Sequence, residues 1–310
     1  MIIREIKDYT DIKITNDCIL VLGYFDGMHK GHAQLFSKAR ELAQETGLKI
    51  VVLTFKESPK LTFAKFSPDL LLHLTYPEKR YQKFEEFHVD ELYLLDFSST
   101  FAKLNSKDFI KDYILSLGAK KIIVGFDYKF GQDQKSAYDL QESFVGDTYI
   151  IDEIVDEGIK ISSTRIRQLV TNGEIEKANQ LLGYTYSTRG IVVHGDARGR
   201  TIGFPTANLA MTDRTFLPDD GVYVTDVKID GQLYRSMTSI GKNITFGGTE
   251  LRIEANIFDF NQEIYGESVE IFWLARIREM IKFTSIDDLI RQLESDRNLA
   301  INYKNDSQEA

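Results

Sequence analysis

The chain has 310 residues, of which 43% are hydrophobic and 27% charged, a composition typical of a globular protein long enough for two domains. Its formal net charge of −9 argues against broad binding to nucleic acid or to anionic membrane surfaces. A single cysteine, Cys18, excludes an internal disulfide framework. Neither a signal sequence nor an apolar run of membrane-spanning length is found, so we expect a cytoplasmic protein without membrane or nucleic-acid partners.

The first predicted strand, residues 19–22, is short and continuously apolar, as expected of a strand that is covered on both faces. The motif GYFDGMHKGH follows over residues 23–32, and residues 32–46 then carry apolar side chains at helical spacing. His29 and His32 are therefore predicted at a helix N-terminus, where unpaired N–H groups and the helix dipole favour phosphate. Three glycines of the motif let the backbone bend and approach a ligand closely: Gly23, Gly27 and Gly31.

The paired histidines also have an alternative interpretation as zinc ligands. The remaining histidines are scattered along the chain, and neither a pair of cysteines nor an HExxH motif accompanies them. We therefore favour phosphate chemistry over metal binding for this strand-to-helix turn.

Further apolar runs alternate with helical segments through the first half of the chain. Helices are predicted to begin at Pro77 and at Ser106, a possible cap. Strands separated by helices imply right-handed crossovers and a parallel sheet, whose ligands lie at the carboxyl ends of the strands. The segment GFDYKFG, which contains Asp127, falls at such an end, as the histidine motif does, so one site could gather both. The additional predicted strands are residues 49–55, 91–97, 121–126 and 148–152.

The segment ISSTRIRQLV, residues 161–170, is predicted to open a short helix with hydroxyl groups at its start. Ser163 and Thr164 can bind phosphate there, and Arg167 can neutralise charge that develops on it. The alternative is that the hydroxyls only cap the helix and that the arginine is solvated.

From about Tyr186 the pattern changes to β structure. Two apolar runs flank Asp230-Gly231, the strongest short signal for a hairpin, and two further strands follow. Hairpin connections and antiparallel pairing indicate a small barrel, and a closing helix is predicted to begin at Ser285. The predicted organisation is an α/β domain at 1–170, a linker helix at 171–185 and a β-barrel domain at 186–310.

Residues 189–209 form a glycine-rich segment with a glycine at every fourth position: Gly195, Gly199 and Gly203. This spacing lets the backbone wrap phosphate groups, although a flexible turn explains the glycines equally well and the GxxxxGK[ST] pattern is absent. Thr206 and Asn208 follow in the sequence Pro-Thr-Ala-Asn. They offer two neutral oxygen ligands, which suit magnesium already bound to ATP.

Three motifs, GYFDGMHKGH, VGFDYKFG and ISSTRIR, resemble in this order the nucleotidyltransferase module of the bacterial bifunctional riboflavin kinase/FMN adenylyltransferase family, also called FAD synthetase. The resemblance implies a Rossmann-like α/β domain that adenylylates FMN to FAD and releases pyrophosphate. It implies that His29 and His32 donate to the reacting α-phosphate, together with the Ser163-Thr164 helix start. Arg167 would join them, and Asp127 would orient adenine or ribose. The other matched positions would bind the nucleotide: Gly23, Phe25, Asp26, Gly27 and Gly31.

The second half resembles the riboflavin kinase module of the same family, in which a PTAN motif holds the metal and the ATP phosphates. Thr206 and Asn208 take that role by resemblance, and the three glycines at 195, 199 and 203 shape the loop. Glu254 matches the general base that accepts the proton of the riboflavin 5′-hydroxyl. Without the resemblance, Glu254 would be interpreted as an outward-facing strand residue. The implied ligands are Mg²⁺ with ATP, riboflavin, and FMN and FAD as substrate or product.

Two segments depart from the family pattern. The family usually has Asn-Pro-Thr-Phe where this chain has Asn243-Ile244-Thr245-Phe246, and loss of the proline frees the backbone beside the expected flavin pocket. Ser136-Ala137 stands where a glycine and an acidic residue are common. These departures leave open two alternatives, a member that has kept one activity and a regulatory protein that binds flavin or nucleotide without turnover.

Overall fold

The computed structural model forms two compact units, Met1–Ser162 and Ser163–Ala310. This division groups the helix that starts at Ser163 with the second unit, and the predicted domain boundary at residue 170 stays a prediction. The departure around Ile244 lies outside the described residues. The structure describes residues 1–13, 16–196, 198–242 and 251–304.

A six-stranded sheet organises the first unit, and every neighbouring pair of strands is parallel, which confirms the predicted α/β fold. The strand before the histidine motif, Cys18–Leu22, lies inside the sheet and is buried at all five positions. The edge strand Ile2–Ile6 was not predicted, because most of its side chains are exposed and carry no burial pattern. In sheet order the strands are Ile2–Ile6, Glu91–Leu95, Lys49–Phe55, Cys18–Leu22, Ala119–Gly125 and Asp147–Ile151.

The core of this unit lies on both faces of the sheet. Cys18, Leu20 and Leu22 pack into one hydrophobic cluster, whereas Ile19 and Val21 pack into another. Because successive strand residues point to opposite faces, a strand buried on both sides has to be apolar throughout. This explains the continuous apolar run and sets the histidine motif at the carboxyl end of a rigid strand.

The helices of the first unit confirm several predicted ends. The first helix ends at Gly47, which adopts a left-handed φ of 71°, and Pro77 occupies the first turn of its helix. The predicted cap at Ser106 is wrong, because the Asn105 side chain accepts a hydrogen bond from the Asp108 N–H at 2.9 Å and takes that position. The α-helices are Lys30–Thr46, Lys60–Phe63, Pro77–Glu86, Ser99–Ala102, Ser106–Phe109 and Ala137–Ser143, with 3₁₀ turns at Tyr9–Asp11 and Pro68–Leu71 and a π-helical turn at Ile110–Leu115.

Two short antiparallel ribbons project from this framework, Lys129–Phe130 with Lys135–Ser136 and Val155–Asp156 with Ile159–Lys160. Ser136, one of the residues that differ from the family pattern, ends the first ribbon and caps the next helix. Its hydroxyl accepts a hydrogen bond from the Asp139 N–H at 3.3 Å, and the Asp139 carboxylate accepts one from the Ser136 N–H at 2.8 Å. This capping box starts the helix that follows.

A closed six-stranded barrel forms the second unit, and its strand pairs are antiparallel, as predicted. Asp230 and Gly231 adopt φ of 48° and 83°, the left-handed conformation that a tight hairpin turn requires. In barrel order the strands are Ser187–Val193, Ala207–Met211, Leu251–Ile257, Gln232–Lys242, Gly221–Ile229 and Ser268–Arg278.

Four helices accompany the barrel in the described part of this unit. The Ser285 hydroxyl caps the last of them, as predicted, by accepting a hydrogen bond from the Asp288 N–H at 3.1 Å. That helix docks through Asp296, which is fully buried and pairs with Arg278 at 2.7 Å. Asn179, in the segment predicted as a linker helix, donates a hydrogen bond to the Trp273 carbonyl at 2.8 Å and so packs on the barrel. The helices are Ser163–Thr171, Ile175–Leu182, Arg198–Thr201 and Ile286–Asn302.

Candidate active sites

The histidine motif forms a strained turn between the central strand and the first helix. Phe25 and Met28 adopt φ of 58° and 38°, which side-chain-bearing residues rarely do. Such a conformation costs about 1–3 kcal/mol per residue and persists where surrounding contacts enforce it, commonly at functional sites. Here the Phe25 ring packs against Phe36 and Phe84, with ring centroids 5.3 and 5.9 Å apart.

Two glycines of the motif lie against the aromatic rings of neighbouring residues. A Cβ atom on Gly23 would lie 2.6 Å from the Phe25 ring, and one on Gly31 would lie 3.1 Å from the His29 ring. The buried Asp26 carboxylate accepts a hydrogen bond from the Leu74 N–H at 2.9 Å, so it ties the turn to a neighbouring segment. The predicted role of Asp26 in nucleotide binding stays a prediction.

His29 and His32 lie together at the start of the first helix. His29 is the N-cap, and its Nδ1 accepts a hydrogen bond from the His32 N–H at 3.3 Å. The two rings stack with centroids 3.7 Å apart. Since Nδ1 of His29 is the acceptor, its neutral ring carries the proton on Nε2, which is thereby available as a donor.

Both imidazoles are held in the neutral form. Burial lowers the pKa of His29 to about 4, against the opposing effect of the Asp26 carboxylate. Burial also lowers the pKa of His32 well below its ordinary value, and the positive charges of Arg80 and Lys160 act in the same direction, as His29 does when it is protonated. At neutral pH the pair can therefore donate hydrogen bonds to an oxyanion without carrying a charge of its own.

Lys160 and Asp127 form an ion pair near these rings, and the charges of both act on His29. Lys160 also lies 4.5 Å from the centre of the Phe126 ring. Asp127 was predicted from its motif, whereas Lys160 was missed, because a lysine in a short ribbon carries no sequence signal of its own.

The remaining predicted donors belong to the second unit. Ser163 is the first residue of the helix Ser163–Thr171, and Thr164 is exposed beside it. Arg167 lies in the same helix, with its guanidinium carbon 5.7 Å from the centre of the Phe216 ring. The hydroxyls are therefore placed at a helix start, as predicted, and their joint action with the histidine pair stays a prediction.

A cavity of about 310 Å³ opens into the barrel of the second unit. Its polar lining includes Thr206, Asn208 and Glu254, so the structure brings Glu254 together with a motif that lies far from it in the sequence. Apolar side chains, among them Val222 and Met237, form another part of the lining. The cavity thus combines an apolar surface with a few convergent polar groups, as small-molecule sites do.

Strand register explains how Glu254 reaches this cavity. Glu254 lies directly opposite Asn208 on one neighbouring strand and opposite Ser239 on the other. Burial raises the pKa of the Glu254 carboxyl, and the carboxylate of Asp196 acts in the same direction, against Arg252. A carboxylate with a raised pKa is a better proton acceptor, which suits a general base.

The glycines of the loop have different structural reasons. A Cβ atom on Gly195 would lie 2.2 Å from the Asn208 amide nitrogen, and one on Gly199 would lie 2.1 Å from the Phe204 carbonyl oxygen. Gly203 adopts a φ of 85°. The loop therefore packs directly on the segment that carries Thr206 and Asn208, and its predicted role in phosphate binding stays a prediction.

Two contacts hold the loop to the barrel and were not predicted. The Asn256 side chain donates a hydrogen bond to the Pro205 carbonyl at 2.6 Å, and Arg252 pairs with Asp196 at 2.7 Å. Arg252 and Asn256 lie two residues before and two residues after Glu254 in the strand Leu251–Ile257. Because alternate strand residues share a face, this strand pattern was the sequence signal that could have pointed to both residues. Among the described residues, no group of three or more His, Cys, Asp or Glu side chains is placed to hold a metal ion.

Comparison with known proteins assigns both halves to described families. The family model described as FAD synthetase matches residues 11–165, and the one described as riboflavin kinase matches residues 182–304. A bifunctional riboflavin kinase/FMN adenylyltransferase of Listeria monocytogenes is 39% identical over 93% of this chain and 92% of that protein. The protein of the same description from Bacillus subtilis is 38% identical over 92% of both chains.

A solved structure is similar over its whole length. It bears the name of a macrolide-efflux protein from Streptococcus pneumoniae, is 52% identical, covers 98% of this chain and 100% of its own, and superposes with a TM-score of 0.94. In the described part of the present chain, none of the helices has the length and hydropathy needed to cross a membrane.

Proposed function

This chain belongs to the family of bifunctional riboflavin kinase/FMN adenylyltransferases, and on that premise we propose how its residues divide the two reactions. The protein is an enzyme that phosphorylates riboflavin to FMN and adenylylates FMN to FAD, with ATP as the second substrate of each step. The efflux after which the Streptococcus protein is named is not proposed for this chain, because both halves of the chain match flavin enzymes.

For the kinase reaction, Glu254 accepts the proton of the riboflavin 5′-hydroxyl as that oxygen attacks the γ-phosphorus of ATP, and ADP leaves. The observation that carries this assignment is that Glu254, Thr206 and Asn208 line one cavity. Thr206 and Asn208 fit a Mg²⁺ ion that arrives with ATP, because hydroxyl and carboxamide oxygens are ligands that this ion accepts. The ion would neutralise charge on the phosphates, and the apolar wall suits a flavin ring.

For the adenylyl transfer, a phosphate oxygen of FMN attacks the α-phosphorus of ATP, and the bond to the bridging oxygen of pyrophosphate breaks. The observation that carries the assignment is the stacked, neutral histidine pair at a helix N-terminus. His29 and His32 donate hydrogen bonds to the oxygens on which negative charge increases, together with the helix N–H groups. Ser163, Thr164 and Arg167 are proposed to complete this set, and Asp127 to orient adenine or ribose.

Paired variants test the division of labour. The double variant His29→Ala/His32→Ala should lose FAD formation from FMN by about 100-fold or more while riboflavin phosphorylation continues. Glu254→Gln should do the reverse, because the amide cannot accept the proton. Both are measured by chromatographic separation of flavins after incubation with ATP and magnesium. Loss of both activities in either variant would contradict independent sites.

The same assay separates the alternatives that the sequence left open. Formation of both FMN and FAD by the unaltered chain supports two working sites, which the similarity to bifunctional relatives favours. Unconsumed riboflavin with tight flavin binding would support a regulatory protein instead. Cytoplasmic location and the lack of nucleic-acid partners stay predictions from composition.

A further inference from the structure

Arg80 is a buried charge that neither reaction uses. It lies in the helix Pro77–Glu86 and is 5% exposed. Buried arginines are normally paired with a carboxylate, because removing a charge from water is costly. Within the described part of the chain, the Arg80 guanidinium instead donates only to neutral acceptors: the Phe55 carbonyl at 2.9 Å, the Thr54 hydroxyl at 2.5 Å and the Tyr24 carbonyl.

These acceptors join the histidine motif to the neighbouring strand. Tyr24 is the second residue of the motif, and Thr54 and Phe55 end the strand Lys49–Phe55. The Thr54 hydroxyl also donates to the Tyr24 carbonyl at 3.0 Å. A single guanidinium therefore holds the carboxyl ends of two adjacent strands at the point where the strained turn begins.

The turn needs such support. The residue after Tyr24 is Phe25, whose φ of 58° is unfavourable, and the His29 ring follows within the same turn. A backbone in this conformation relaxes unless neighbouring contacts over-determine it. Aromatic packing of the Phe25 ring is one such contact, and the hydrogen bonds that the preceding Tyr24 carbonyl accepts from Arg80 and Thr54 are another.

The charge of Arg80 has a separate effect. It is one of the positive charges that keep the pKa of His32 low. The carboxylates of Asp26 and Glu57 act on Arg80 through space, so its charge is partly balanced without a direct ion pair.

We propose that Arg80 is a positioning residue for adenylyl transfer, which clamps the Tyr24 carbonyl to the end of the neighbouring strand and thereby fixes the turn that presents His29 and His32. This inference rests on the proposed adenylyltransferase site. It assigns Arg80 no contact with ATP or FMN.

Two substitutions separate the hydrogen bonds from the charge. Arg80→Lys keeps the charge but loses the planar fork of donors, whereas Arg80→Gln keeps an N–H donor and loses the charge. In both variants kcat for FAD formation should fall by about 10–100-fold, since small misplacements of reacting groups cost this much, while KM for ATP stays within about twofold. The riboflavin kinase activity of the same preparation and the exposed control Arg40→Gln should remain unchanged.

A spectroscopic measurement distinguishes positioning from general destabilisation. The pKa of His32, followed by NMR of the imidazole signals, should rise in Arg80→Gln and stay low in Arg80→Lys. If Arg80→Gln does not fold, Thr54→Val removes one acceptor of the clamp without deleting the arginine, and a smaller loss of kcat is expected.

Unchanged kcat in both arginine variants, or a rise in KM for ATP alone, would overturn the proposal. If the unaltered chain makes no FAD, the proposed adenylyltransferase function fails instead. In that case an unchanged His32 pKa in Arg80→Gln would still overturn the placement of Arg80.

Discussion

Replacement of His29 by asparagine tests whether this ring is buried in its neutral form. Asparagine is a good N-cap, so it can accept the hydrogen bond from the His32 N–H that His29 accepts in the structure, but it does not titrate. The pKa of His29 is lowered by burial to about 4 from the ordinary value of 6.5. At 1.36 kcal/mol per unit, this difference corresponds to about 3 kcal/mol of stability.

The sign follows from which state binds protons. Between pH 6.5 and 4 the unfolded chain protonates at His29 while the folded chain does not, so acid favours unfolding. The contribution is therefore complete above pH 6.5 and is lost as the pH falls towards 4, with about 2 kcal/mol gone at pH 5. His29→Asn should lack this loss and be less sensitive to acid in that window.

Hydrogen exchange of peptides from the helix Lys30–Thr46 measures the local opening free energy across this pH range. The exposed His88, which has a φ of 61° that asparagine tolerates, provides the matched control His88→Asn. If wild type and His29→Asn lose stability in parallel, within about 0.5 kcal/mol, then His29 is not held neutral by burial and the reasoning is wrong.

Three further outcomes are expected. Gly195→Ala should lower riboflavin phosphorylation by about tenfold or more and leave FAD formation from FMN unchanged. The reason is that the new Cβ atom would lie 2.2 Å from the Asn208 amide nitrogen. Equal losses of the two activities would refute this prediction. Arg278→Met should destabilise the second unit by about 3–5 kcal/mol in urea unfolding, because it leaves the fully buried Asp296 carboxylate without its charged partner. A loss of stability no larger than that caused by replacing an exposed arginine would contradict this prediction. Cys18 should resist thiol reagents in the native protein and react on unfolding, because burial raises the pKa of its thiol to about 12. Rapid labelling of Cys18 in the folded protein would contradict this prediction.

Local signals in the sequence were sufficient for features that depend on neighbouring residues. The apolar run at residues 19–22 predicted a strand that is covered on both faces. Successive strand residues point to opposite faces, so such a strand is apolar at every position. Asp230-Gly231 predicted a tight hairpin for the equally local reason that few residues accept left-handed backbone angles. The histidine pair at a helix start is of the same kind, since its spacing and the helix that follows lie within one short segment.

Other features depend on contacts between distant segments and were decided by the tertiary structure. The sequence of the strand Leu251–Ile257 does not indicate which face of the strand carries Glu254 towards the interior. Its pairing opposite Asn208 in the barrel places the Glu254 carboxyl in the lining of the cavity. Arg80 lies in a helix whose polar composition indicates nothing unusual, and its buried contacts are with the ends of two neighbouring strands. The physical reason is that residue spacing determines which faces of an element are polar, whereas packing of whole elements determines what each face meets.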